Sequence, residues 1–306
     1  MSTAAVIDIG SNTIKVLVAS KTESVSTPTL LKTKTIEARI SKGISRTNPL
    51  LTTEAMQRGL SAVKDLLQEA SVFNPNHILL VATSAVRDAQ NGAYFRDLIL
   101  KETGHPVHIL TGDEEATGIG QGLLCDPNLK DLTHFMVFDL GGGSLECLNF
   151  LDRKITNQVS LPLGCVRLTE LFVKDSALAF NAHKAVHDHV VNTVQVSGFK
   201  FSPHSVAIGT GGTLTTARLI LAAKEGKTLD NSTSLITLPQ LKRLHAELSC
   251  LPLKERLSTP GLPQGRADVF PVALQTLISL AELGRFETYH HSLYNLRWGL
   301  VAKLLA

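Results

Sequence analysis

The sequence predicts an α/β protein built from two similar lobes, and three observations carry that expectation. Apolar, strand-like runs alternate with stretches of helical periodicity. An Asp-x-Gly turn occurs twice, 131 positions apart, and three strand ends carry glycine- and hydroxyl-rich tips. At 306 residues the chain exceeds one ordinary domain of about 100–150 residues and accommodates two.

Residues 4–10 form a short apolar run ending in a turn, and residues 13–19 follow with strand composition. A β-hairpin with Ser11 and Asn12 at its tip is expected. Over residues 52–70, Leu60, Val63, Leu66, Leu67 and Ala70 recur at helical spacing behind a capping Thr52 or Thr53. A strand is expected over 77–83, running on as Ala85-Val86 before Arg87, then a helix over 91–102, a strand over 107–110 and a helix opening at 112–115.

The pattern then restarts. Residues 134–139 are an apolar run ending in Asp139-Leu140-Gly141, and 144–150 are again strand-like, as around Asp8-Ile9-Gly10. Three residues recur easily by chance, but both copies lie between an apolar run and a second strand. The reading is therefore two lobes, residues 1–127 joined by a C-terminal helix at about 293–306, and residues 128–292. Further helices are expected over 182–194, 213–223, 238–248, 267–283 and 296–305, with a strand over 205–208.

Composition narrows the function. With 43% hydrophobic and 19% charged residues the chain is ordinarily globular, and a net charge of +3 gives no argument for a nucleic-acid or membrane surface. No stretch of about 18 apolar residues occurs, no signal peptide is recognised, and four scattered cysteines suit reduced thiols in a cytoplasmic protein.

The three tips are Asp8-Ile9-Gly10-Ser11-Asn12-Thr13, Asp139-Leu140-Gly141-Gly142-Gly143-Ser144 and Gly209-Thr210-Gly211-Gly212-Thr213. Glycine lets backbone N–H groups approach an anion and hydroxyls add donors, so such tips cradle phosphate, although each alone is commonly just a tight turn. Phosphoryl transfer to water also needs a cation and a group that positions the water. Asp8 and Asp139 precede two of the tips. Glu146 lies seven positions beyond Asp139 on the returning strand, where a tight hairpin brings both carboxylates together for a hard cation such as Mg²⁺. Glu114 and Glu115 stand where a helix begins, and for one of them favourable placement on the helix dipole is a sufficient explanation. The planar fork of Arg87 suits phosphate oxygens.

Together these segments resemble the exopolyphosphatase and guanosine pentaphosphate phosphatase family. The residues carrying the resemblance are Ile7 to Thr13, Ala38-Arg39-Ile40 to Gly43, Val81 to Asp88, Thr111-Gly112-Asp113-Glu114-Glu115-Ala116, Phe138 to Glu146, Leu163 to Arg167, Gly209 to Thr213 and Gly265-Arg266-Ala267-Asp268. The resemblance implies the actin, hexokinase and chaperone ATPase-like (ribonuclease H-like) fold, with substrate in the cleft between lobes. It implies that Glu115 activates or positions the water, that Asp139 and Glu146 attend the divalent cation, and that Arg87, Asn12 and the glycine tips bind phosphate. A polyphosphate or guanosine pentaphosphate substrate and a homodimer follow from the same resemblance. Leu296-Arg297-Trp298-Gly299 and Phe270-Pro271-Val272 depart from the family pattern, and the chain ends where longer members add a helical domain.

Other functions remain open at this point. A small-molecule kinase of the same fold would also need glycine loops, and a phosphate-ligand sensor would keep them without catalysis. His183, His187 and His189 are read as a solvated helix face, Cys165 as a packed residue, and Tyr289-His290-His291 suggests no role.

Overall fold

The computed structural model describes residues 1–22, 27–44, 49–173, 180–202 and 205–306. In chain order its elements begin β1 (Ser2–Ile9), β2 (Thr13–Lys21), β3 (Thr29–Glu37), α1 (Thr53–Ser71), β4 (His77–Ala82) and α2 (Ser84–Asp88). They continue with α3 (Gly92–Thr103), β5 (Val107–Ile109), α4 (Gly112–Leu123), β6 (Phe135–Leu140), β7 (Leu145–Leu151) and β8 (Lys154–Leu161). Next come α5 (Cys165–Phe172), α6 (Phe180–Val196), β9 (Val206–Thr210), α7 (Gly211–Lys224), β10 (Leu235–Thr237) and α8 (Leu238–Cys250). The last are α9 (Leu253–Arg256), α10 (Phe270–Gly284), β11 (Thr288–His291) and α11 (Leu296–Leu304). Two compact units result, one of residues 1–131 with 294–306, the other of residues 132–293.

Each unit has one mixed sheet and one core. The first sheet runs β3-β2-β1-β4-β5, with β1–β2 and β2–β3 antiparallel and β1–β4 and β4–β5 parallel. The second, taken from its other edge, runs β8-β7-β6-β9-β11-β10 with the same sequence of antiparallel and parallel pairs and one added antiparallel edge strand. The repeat therefore extends beyond the Asp-x-Gly turns to whole-sheet topology. Central strands such as β1 are buried at nearly every position, because a sheet covered by helices on both faces has no solvent side.

Two local expectations change. Ala85 and Val86 continue an apolar run but lie in the short helix α2, whose first turn takes Thr83 carbonyl bonds to Val86 N and Arg87 N. The helix expected from residue 267 starts at Phe270, with Pro271 in its first turn, where no backbone N–H is required. Gly209 and Thr210 belong to β9 and Gly211 opens α7, so the third tip is the strand-to-helix junction expected between 205–208 and 213–223, with both elements running into it.

In the first unit α11 packs on α4 with unusual closeness. A Cβ on Gly122 would collide with the Asn295 carbonyl, and one on Gly299 with the Gly118 carbonyl. Gly122→Ala is expected to destabilise the protein by about 1–2 kcal/mol net. Overpacking against backbone costs about 1–3 kcal/mol or more and outweighs the roughly 1 kcal/mol of helix propensity that alanine returns. Gly118→Ala, which meets the movable Leu296 Cδ1 at 2.6 Å, should cost less. Thermal melts of both variants check this, and the reverse order contradicts it.

Candidate functional site

In the first unit the β1–β2 hairpin closes with Gly10 N donating to Thr13 O at 3.2 Å. The carbonyls of Ser11 and Asn12 are taken by the backbone N–H groups of Ser41 and Arg39, at 3.2 and 2.9 Å, and Arg39 Nε donates to Asn12 Oδ1 at 3.2 Å. Arg39 adopts φ 45°, a left-handed conformation that costs a non-glycine residue energy, and Arg58 holds this segment through the Ala38 carbonyl at 3.1 Å. Arg39 lay within the resemblance, yet nothing in the sequence gave it a role. Its contact depends on a segment 27 positions away.

Asp8 sits opposite Lys15 across β1 and β2. Its Oδ1 is buried without a hydrogen-bond partner among the described residues. Burial pushes the Asp8 carboxyl up, while Lys15 and then Arg297 pull it down. Arg297, 9% exposed, is anchored by the Val16 carbonyl at 3.1 Å and Thr33 Oγ1 at 3.2 Å.

The helix start at α4 separates the two glutamates. Thr111 Oγ1 accepts from Glu114 N at 3.2 Å, and Glu114 Oε2 accepts from Thr111 N at 2.8 Å, a reciprocal capping box on the exposed side. Successive helix positions are about 100° apart, so Glu115 turns inward and is only 7% exposed. There Arg87 Nη1 donates to Glu115 Oε2 at 2.8 Å and to the Leu110 carbonyl at 3.0 Å. Arg87 and Glu115 are thus one charge-assisted pair, placed by α2 and α4.

In the second unit the same hairpin closes with Gly141 N donating to Ser144 O at 3.0 Å. Asp139 faces Glu146 across β6 and β7, where Cβ atoms lie about 4.5–5.5 Å apart. Asp8 and Lys15 are the corresponding pair in the first unit, so the repeat has put a carboxylate in one hairpin where the other has a cation. Glu146 is 2% exposed, and its Oε1 accepts from Ser160 Oγ on β8 at 2.7 Å. Two opposed carboxylates supply hard oxygen donors and repel each other unless a cation intervenes, so the donor set fits a divalent ion such as Mg²⁺. Among the described residues no three His, Cys, Asp or Glu side chains cluster as a ligand set. Such an ion would therefore complete its shell with water or substrate oxygens, as Mg²⁺ commonly does.

The start of α5 docks on the Gly141–Gly143 tip. Cys165 N, Val166 N and Arg167 Nε donate to the carbonyls of Gly141, Gly142 and Gly143 at 3.0, 2.8 and 3.0 Å. A trans peptide directs each carbonyl opposite to the following N–H, and the described residues include no cis bond. The amides of Gly142, Gly143 and Ser144 therefore point away from the α5 donors that hold the preceding carbonyls. At the β9–α7 junction Thr213 Oγ1 donates to the Leu140 carbonyl at 3.0 Å, so its proton ties two elements together. The Arg266 guanidinium lies where a Gly212 side chain would be. Arg167 and Arg266 were visible as motif residues without a role; only the fold puts them on the glycine tips.

His183 and His187 are not on a solvated face. Both are half-buried, His183 against the His245 ring at 4.4 Å and His187 Nδ1 on Ser279 Oγ at 2.9 Å, because that side of α6 meets α8 and α10. Burial also pushes up the thiol of Cys165, which is 2% exposed, as befits a packed residue.

Two α/β units that repeat one sheet topology, each with an Asp-x-Gly hairpin, define a duplicated α/β protein with a half-buried Arg87–Glu115 pair in its first unit. Residues 17–306 match the Ppx/GppA phosphatase family model, and the chain belongs to that family. It is 29% identical over 305 residues to a guanosine-5'-triphosphate,3'-diphosphate pyrophosphatase of Vibrio vulnificus, covering 99% of this chain and 59% of that protein. The chain thus spans about three-fifths of the length of that curated relative. Among solved structures it is similar to an exopolyphosphatase from Cytophaga hutchinsonii, with TM-score 0.89 and 26% identity over 99% of this chain and 98% of that one. An Aquifex aeolicus Ppx/GppA family member, at TM-score 0.81 and 22% identity over 99% and 97% of the two chains, shares the fold. No helix among the described residues is long and apolar enough to cross a membrane.

Proposed function

We propose that this chain is an exophosphatase that hydrolyses the terminal phosphoanhydride of inorganic polyphosphate or guanosine pentaphosphate with the help of a divalent cation. The observation that carries the reading is that the amides of Gly142, Gly143 and Ser144 point away from the α5 donors, on a hairpin whose strands oppose Asp139 to Glu146. Membership of the Ppx/GppA family and the names of its relatives support the same reaction.

In this reading Gly10, Ser11, Asn12, the tip amides of 141–144 and the 209–213 junction bind phosphate oxygens. Asp139 and Glu146, with Asp8 as the further acid, hold Mg²⁺, which balances charge on the transferred phosphoryl group. Glu115 positions the attacking water and accepts its proton as the bond to phosphorus forms and the bridging P–O bond of the terminal anhydride breaks, the shortened chain leaving with the bridging oxygen. Arg87 fixes the carboxylate's orientation through the 2.8 Å contact and contributes charge toward the phosphate. The four free thiols accord with a reducing, cytoplasmic setting.

The test is the fate of the terminal phosphate. The protein should release orthophosphate from polyphosphate and from guanosine pentaphosphate, with Mg²⁺ and without any organic acceptor. Transfer seen only when an acceptor is supplied would instead make it a kinase, and binding without turnover a sensor.

A further inference from the structure

We infer that His291 is a positioning residue that holds the phosphate tip at the start of α7 through a relay Arg218–His291–Thr215–Gly211. The inference rests on the reading of Gly209–Thr213 as a phosphate tip and adds to it a side chain from β11.

His291 ends β11, pairs with Gly209 of β9 and is 6% exposed. Its Nε2 lies 3.0 Å from Thr215 Oγ1 and its Nδ1 lies 3.4 Å from Arg218 Nη1. The hydrogen positions follow from what each partner can do. The Thr215 hydroxyl has one proton and gives it to the Gly211 carbonyl at 2.8 Å, so toward His291 it accepts. Arginine only donates, so Nδ1 must accept. Both requirements select the neutral imidazole with its proton on Nε2. Burial and the neighbouring Arg218 charge lower the His291 pKa to about 4, which keeps that form in place at neutral pH.

Both ends of the relay are fixed. Arg218 is held by the carbonyls of Leu229 and Ser232, each at 2.7 Å, and by Ser232 Oγ at 2.9 Å. Gly211 has φ +84° and leaves no room for a Cβ beside Asp139 Oδ1, so its placement sets how the tip meets that carboxylate. A threonine bonding the carbonyl four residues back is common in helices by itself. Here the acceptor side of the same hydroxyl is also engaged, which locks its rotamer and ties the tip to β11.

The experiment is hydrogen–deuterium exchange of the whole protein read on peptides covering residues 209–215, with tripolyphosphate hydrolysis measured in parallel. Thr215→Val and His291→Leu are each expected to raise exchange at the tip. Each should raise KM for tripolyphosphate about 5- to 10-fold, the scale of one lost buried hydrogen bond, with kcat changed about 2-fold or less. Thr215→Ser, which keeps the hydroxyl, should restore both, and the double variant should be little worse than either single one because both break one relay. If His291→Leu does not fold, Thr215→Val and Thr215→Ser carry the test alone. Wild-type exchange at 209–215 in a folded Thr215→Val protein overturns the relay whether or not the wild type hydrolyses phosphate. Looser tips in a protein with no hydrolytic activity leave the relay standing and overturn the proposed reaction instead.

Discussion

Glu115→Gln is expected to lower kcat by about 10²–10⁴-fold while leaving polyphosphate binding nearly intact, the range typical of general-base contributions. Glutamine keeps the length and an acceptor oxygen for Arg87 Nη1, so the 2.8 Å contact and the fold around it survive. The charge that would take a proton from water does not. Glu114→Gln is the matched control. Glu114 is the acid of the α4 capping box, where glutamine serves equally well, so it should cost little activity and little stability. Steady-state kinetics on both variants check the assignment, which fails if Glu114 is the sensitive position or if folded Glu115→Gln hydrolyses within a few-fold of wild type.

The second large effect concerns the cation. Asp139→Ala and Glu146→Ala should each raise the Mg²⁺ concentration for half-maximal activity by roughly 10–100-fold or more and lower the maximal rate, since a hard cation loses an oxygen donor. Ser160→Ala removes only the 2.7 Å bond that orients Glu146, so its shift should go the same way and be smaller. Mg²⁺ titrations of the three variants check this, and unchanged metal dependence in both acid variants removes the pair from the cation site.

Where the sequence was legible, the reason is local chemistry. An apolar strand, an Asp-x-Gly turn and a returning strand are contiguous, so both hairpins could be read, and Thr52 is the α1 cap because its side chain reaches only to Ala55 N. The 131-residue offset held a further signal that went unused. It relates Lys15 to Glu146, which the structure places opposite Asp8 and Asp139 respectively. Which of Glu114 and Glu115 caps α4 was open because both acids suit a first turn; the inward direction of Glu115 is set by Arg87, 28 positions earlier. The docking of α5 on the Gly141–Gly143 carbonyls joins residues 24 positions apart and the contacts of His291 join residues 73 and 76 apart, so neither leaves a local pattern. His183 and His187 show the same limit. Their spacing fixed a common helix face, but which neighbour covered it was a matter of tertiary packing.

The most direct measurement is the product distribution from long-chain polyphosphate incubated with the wild-type protein and Mg²⁺, followed from the earliest time points. Hydrolysis at the terminal anhydride predicts orthophosphate as the only small product from the start, with the parent chains shortening and no intermediate-length fragments split off within them. Internal fragments at early times, or no orthophosphate at any Mg²⁺ concentration, would contradict the account.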